Sequence, residues 1–129
     1  MRYLLPTFVL SCFLFNVSHA ALTLVTETKE GIVYVDLDSA EKNGDLIKVH
    51  GSQDFHRLQN LSDTNYLSAK FVNEFHCEKK EVRQISLSVY PENMANGEVL
   101  KTDTEIKPWS TPATGSPLEL MLKKVCINH

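Results

Sequence analysis

The chain has 129 residues, 43% of them hydrophobic, and carries 13 Lys and Arg against 16 Asp and Glu, for a formal net charge of −3. A mildly acidic surface of this kind gives no electrostatic footprint for nucleic acid and little attraction to anionic lipid.

The N-terminus reads Met1, Arg2, then Tyr3 to Val17 almost without polarity, closing on Ser18-His19-Ala20 before Ala21. Small residues at Ser18 and Ala20 fit a signal peptidase pocket, and the apolar run is short for a bilayer crossing. The pattern predicts a signal peptide over 1–20, cleaved between Ala20 and Ala21. A competing reading makes Val9-Leu10-Ser11-Cys12 a lipoprotein box with Cys12 acylated, although Leu10 is bulky for that site and the apolar run continues past Cys12. Cleavage removes Arg2, one of 13 basic residues, and none of the 16 acids, leaving 12 against 16 and a net charge of −4. Residues 21–129 suit one domain, able to bury about two-thirds of its unfolded surface. No second hydrophobic span follows, so the mature chain is expected to lack a transmembrane segment.

Leu22–Thr28 and Ile32–Val35 are β-branched runs around Lys29-Glu30-Gly31 and predict a hairpin. Asp36–Asp45 is polar and contains Asn43-Gly44, which predicts a second turn. Leu46–Phe55 alternates, with Ile47 and Val49 on one face and Lys48 and His50 on the other. Asn60–Asn65 is dense in turn formers. Tyr66–Cys77 follows with period two: Leu67, Ala69, Phe71, Phe75 and Cys77 on one face, Ser68, Lys70, Glu74 and His76 on the other. Glu78–Glu81 predicts a turn, Arg83–Tyr90 a strand with Ile85, Leu87 and Val89 in register, and Pro91–Gly97 a loop. The last strands are expected over Val99–Ile106 and around Trp109.

Ser116-Pro117-Leu118-Glu119 combines an N-cap serine, a proline at the first helical position and a glutamate reaching back, so a helix begins there. Leu118, Met121, Leu122, Val125 and Cys126 form its apolar stripe. The fold class is therefore α+β: an antiparallel sheet of about six strands with one C-terminal helix packed on it. Two cysteines remain once the leader is gone, both on inward faces, and an exported compartment is oxidising. A Cys77–Cys126 disulfide between strand and helix follows, closing a loop of about 50 residues, worth roughly 4 kcal/mol. The alternative, a redox or metal-binding thiol pair, has no C-x-x-C arrangement behind it.

Chemistry-bearing residues are sparse. His50, Asp54 and His56 occupy a short span and make half of a conceivable zinc site, with His76 or His129 as further ligands if folding brings them in. No Gly-rich phosphate loop occurs, and no serine lies in a nucleophile elbow. Asn60-Leu61-Ser62 is formally a glycosylation sequon. Tyr34, Tyr90 and Trp109 read as sheet or core aromatics, or alternatively as a recognition patch.

Three segments resemble the surface-adhesin protein E family of Gram-negative bacteria. They are Val33-Tyr34-Val35-Asp36-Leu37-Asp38-Ser39; then Phe75-His76-Cys77 with its charged turn, the apolar strand to Tyr90 and Gly97; and Trp109, Ser116-Pro117 and the helix ending Val125-Cys126. The resemblance spans nearly all of residues 21–129. It implies a roughly six-stranded antiparallel sheet, a C-terminal helix tied by the Cys77–Cys126 bridge, and a tendency to homodimerise. It also implies a lipidated surface protein that binds host matrix and plasma proteins such as vitronectin and laminin, helped by a basic cluster ahead of the cysteine-bearing strand. Here that stretch, Leu61–Lys70, offers only Lys70. The leading expectation is a non-enzymatic, exported protein-binding domain of the periplasm or outer envelope, with no cofactor and a protein partner. The alternative is a small envelope metal-binding protein or hydrolase using His50, Asp54 and His56.

Overall fold

The computed structural model describes Tyr3 and residues 22–129. Ala20, Ala21 and Cys12, on which the leader reading turns, lie outside the described residues. Among the described residues, six strands form one antiparallel sheet in chain order: β1 Thr23–Glu27, β2 Gly31–Asn43, β3 Leu46–Leu61, β4 Thr64–His76, β5 Glu81–Tyr90 and β6 Lys101–Asp103. The helix α1, Pro117–Ile127, closes one face.

Alternation along the strands decides which face the helix covers. Val33 and Val35 of β2, Ile47 and Val49 of β3, Phe71 and Phe75 of β4 and Val82 of β5 are buried together with Met121, Leu122 and Val125 of α1. These residues share one side of the pleat, and their apolar area is the main stabilising contribution to the fold. Asn73 is the buried polar residue on that side, its Nδ2 directed at Met121 Sδ at 4.0 Å. An eleven-residue helix is about 16 Å long, far shorter than the sixteen-residue β3. The helix layer therefore stops short of the distal β3–β4 hairpin, and among the described residues no second layer covers the opposite sheet face.

The helix start follows the predicted chemistry with one change. Ser116 Oγ accepts from the Glu119 N–H at 3.2 Å, and Pro117 sits in the first turn. The Glu119 carboxylate, however, reaches the Gly115 N–H at 3.0 Å. The helix is also covalently fixed: Cys77, just past β4, is bonded to Cys126, with Cα atoms 5.7 Å apart.

Three strand readings are corrected, two of them by bulges. The expected turn falls at Gly44-Asp45, but β2 extends past Val35 to Asn43, because the extra residues between Asp36 and Glu41 bulge out of the β2–β3 ladder. Ser39 makes this possible: its Oγ donates to the Asp36 carbonyl at 2.6 Å and accepts from the His50 N–H at 2.9 Å, filling an interrupted rung. In β5 the register shifts opposite Val72 and Asn73, so Gln84 and Leu87 face the helix while Ile85 is the odd residue between them. A bulge inserts one residue and reverses the alternation beyond it. Third, the expected strand over Val99–Ile106 contracts to Lys101–Asp103, and the Trp109 segment contributes only a single bridge between Val82 and Ser110. Pro108 supplies no N–H to extend it.

The Asn60–Asn65 turn is a two-residue hairpin tip. Leu61 pairs with Thr64, and Ser62 and Asp63 take φ of 47° and 65°, the left-handed pair that a twisted two-residue hairpin requires.

Candidate functional site

The uncovered sheet face carries the residues that alternate with the core: Tyr34 and Asp36 from β2, His50 and Ser52 from β3, Lys70, Val72 and Glu74 from β4, with Arg83 and Tyr90 from β5. One loop crosses it. Residues 92–96 fold back over β3 and β4 through a single turn, Asn93–Ala95, in which Met94 and Ala95 have φ of 56° and 55°. Two consecutive left-handed non-glycine residues cost free energy and persist only where other contacts hold them.

Asp54 and Ser68 are those contacts. Asp54 Oδ1 accepts from the Met94 N–H at 2.8 Å and from Asn93 Nδ2 at 2.9 Å. Ser68, almost fully buried, donates to the Glu92 carbonyl at 2.5 Å and accepts from the Ala95 N–H at 2.8 Å. Both residues sit opposite each other in the β3–β4 register, so two neighbouring strands grip both sides of the strained turn.

The pinned loop makes one wall of a groove of about 450 Å³, whose lining includes Leu22, Asp36, His50, Ser52, Lys70 and Met94. Its two apolar walls are exposed, Leu22 by 42% and Met94 by 54%. The floor is polar and built from three strands. Lys70 has the Tyr90 ring beneath it, its Nζ 5.9 Å from the ring centre.

At the other end of this face a second cluster is satisfied internally. Arg83 donates from Nε and Nη2 to Glu74 Oε1, at 2.8 and 2.6 Å, and lies 4.5 Å from the Trp109 ring centre. The Trp109 ring also meets His76 edge-on at 6.3 Å, while His76 Nδ1 accepts from the Lys79 N–H at 3.2 Å. Tyr34, Tyr90 and Trp109 are thus all partly exposed on one face, as a recognition patch requires.

The three metal candidates are not brought together as a site. Asp54 is committed to the loop, His50 stands exposed on the open face, and His56 lies 3.7 Å from Glu27 at the far side of the β1–β2 hairpin. Neither expected further ligand joins them: His76 serves the turn after β4, and His129 offers its main-chain carbonyl to Lys42 at 3.2 Å. Among the described residues no three His, Cys, Asp or Glu side chains gather as metal ligands would. What sequence reasoning missed is the loop anchor. Its signal was a serine in the middle of an apolar strand, Ser68, placed beside Asp54 only once the β3–β4 register is known.

Elsewhere, partial burial raises the Tyr66 phenol above its ordinary pKa where it packs edge-on against Phe55, ring centres 5.5 Å apart. This pair braces the base of the projecting hairpin. Asn60 Nδ2 donates to Asn65 Oδ1 at 3.0 Å near its tip, so the sequon asparagine serves the turn.

One helix is stapled over part of one face of a six-stranded antiparallel sheet, and the opposite face carries the groove: the chain is an α+β domain built on a sheet platform. The chain belongs to the Surface-adhesin protein E family, whose sequence model matches residues 22–127. Among solved structures it is similar to Haemophilus influenzae protein E: at 13% identity over 88% of each chain, with a TM-score of 0.63. A second crystal form of that protein gives 13% identity over 88% of this chain and 91% of the other, with a TM-score of 0.66. Protein E from non-typeable Haemophilus influenzae gives 12% identity over 88% and 80%, with a TM-score of 0.61. No curated protein sequence matches. At such identity the structural likeness speaks for the fold, and the family match carries the membership.

Proposed function

We propose that this chain is a non-enzymatic, exported protein-binding domain of the adhesin type, acting from the periplasm or outer envelope through its open sheet face. The observation that carries the reading is the pinned 92–96 loop: four hydrogen bonds from Asp54 and Ser68 hold a strained turn over a face that no other described segment covers. Strain maintained at an exposed surface is more readily explained by recognition than by stability. Partly exposed Tyr and Trp side chains on the same face are the residue types that dominate binding energy. Family membership supports an adhesin-like role, and host matrix or plasma proteins are the partners this reading proposes. No helix among the described residues is long and apolar enough to cross a membrane.

The test is capture by immobilised vitronectin and laminin, with serum albumin as the reference surface. Saturable binding of the exported protein to a matrix protein, weakened by an Asp54→Ala, Trp109→Ala double variant that keeps its fold, is expected. Equal retention on all three surfaces would remove the adhesin reading.

A further inference from the structure

The groove beside the pinned loop holds two charges of opposite sign without an ion-pair partner. Among the described residues, no Lys, Arg or His nitrogen approaches the Asp36 carboxylate within 4.0 Å and no carboxylate approaches Lys70; every ion pair lies elsewhere. One oxygen of Asp36 is occupied by the Asp38 N–H at 3.1 Å, which fixes the carboxylate and leaves its other oxygen for a ligand.

Their separation follows from the register. Asp36 pairs with His50, and Ser52, two residues on, pairs with Lys70. The two charged residues are therefore two strands and two residues apart, about 12 Å between backbones. An extended chain spans about 3.4 Å per residue, so three residues reach across with both ends inside hydrogen-bonding range of the side chains. The cavity of about 450 Å³ is of the size that holds small ligands. Between the two charges the walls are Leu22 and Met94, and methionine adapts to varied apolar shapes. On the floor, His50 and Ser52 can meet the peptide groups of such a ligand.

We infer that this groove is a binding site for a short zwitterionic peptide, about three residues long, with its ammonium at Asp36, its carboxylate at Lys70 and an apolar central side chain between Leu22 and Met94. The inference shares the open face with the adhesin reading but needs no matrix protein. Acid at one end and base at the other fix the direction of the ligand. Because the groove is open to solvent, each end is worth a modest factor, about five- to tenfold in affinity.

The experiment is a nitrogen-resolved NMR titration of the exported protein with Ala-Leu-Ala, its N-acetyl form, its C-terminal amide and the doubly blocked form. Saturable shifts at His50, Ser52, Lys70 and Met94 are expected for the free peptide, with dissociation near 1 mM. Blocking either end should weaken binding about five- to tenfold. Lys70→Gln should cost as much with the free peptide and nothing further with the amide. Asp36→Asn should stand in the same relation to the acetyl form. Both variants keep neighbouring backbone bonds, and retained spectral dispersion verifies their folds. Equal affinity of the doubly blocked peptide, shifts confined to other residues, or no saturation by about 50 mM would overturn the inference. Peptide binding without matrix capture would defeat only the adhesin reading. Matrix capture without peptide binding would defeat only this one.

Discussion

The Met94 N–H donates to Asp54 Oδ1 at 2.8 Å across forty residues of sequence, and this bond decides where the open-face loop lies. Since the same oxygen also accepts from Asn93 Nδ2, one carboxylate orients two consecutive residues of a left-handed turn. Removing it leaves the Met94 N–H to water and loosens the strained turn, while Asn93 Nδ2 keeps the Phe55 carbonyl at 2.9 Å. Asp54→Ala should lower stability by about 1–2 kcal/mol in urea denaturation. The larger effect should be local, a rise in amide hydrogen exchange at Met94 and Ala95. Unchanged exchange there would show that Ser68 and the Phe55 carbonyl suffice to hold the loop.

Gly51 makes a separate prediction on the covered face. A Cβ at this position would collide with the Phe71 ring and approach the Tyr34 carbonyl at 2.8 Å. Phe71 belongs to the core under the helix and cannot yield without opening the packing around it. Gly51→Ala should therefore destabilise by about 1–3 kcal/mol, read from the shift in the denaturation midpoint. A neutral substitution would mean that Phe71 has an alternative rotamer the core tolerates.

Glu119 supplies a pH dependence. The Gly115 N–H, followed by Lys123 at 3.4 Å, holds its carboxyl below the ordinary glutamate value. A folded-state pKa below the unfolded one contributes stability that is present above the unfolded pKa and lost as pH falls through the folded value. Wild type should thus be more stable than Glu119→Gln above the ordinary glutamate value, and the difference should shrink as pH falls through the lowered folded-state value. A constant difference across that range would assign the effect to the helix cap and not to ionisation.

The sequence made the helix fully legible, because capping chemistry is local: Ser116, Pro117 and Glu119 mark its start and five apolar residues mark its stripe. Strand alternation likewise exposed the core of β3 and β4. What it could not show are the points where alternation is interrupted. The bulge at Ser39 depends on a hydroxyl completing a ladder between strands, and the one at Ile85 on a register set by the neighbouring strand. The candidate site suffered in the same way. Asp54 reads as a possible ligand beside two histidines, but its partner is a backbone amide in another segment, and nothing local to residues 50–56 announces it.

Export is a further proposal with a direct readout. Small residues at Ser18 and Ala20 favour cleavage before Ala21, so intact mass of protein recovered from the envelope should correspond to residues 21–129 with one disulfide. A mass corresponding to a diacylglyceryl-modified Cys12 as the first residue would replace this with a membrane-anchored lipoprotein.

The disulfide gives the last prediction, because it joins the two parts of the fold that share the least backbone. Cys77 and Cys126 are 49 residues apart in sequence, and α1 follows a long segment, residues 104–116, that meets the sheet backbone through the Val82–Ser110 bridge and the Lys107 N–H to the Gln84 carbonyl. Cutting the bond leaves Met121, Leu122 and Val125 to hold the helix by burial alone. The unfolded chain gains the freedom of a long open loop, which favours unfolding by about 2–5 kcal/mol. Replacing both cysteines by alanine, or melting wild type in reductant, should lower the melting temperature by about 4 °C or more for each kcal/mol lost. The helix should loosen first, so exchange at Val125 and Leu122 should rise before exchange at Val49. Simultaneous loss of protection at all three would show that helix and sheet unfold as one cooperative unit even without the bond, and unchanged melting would show that apolar packing alone suffices.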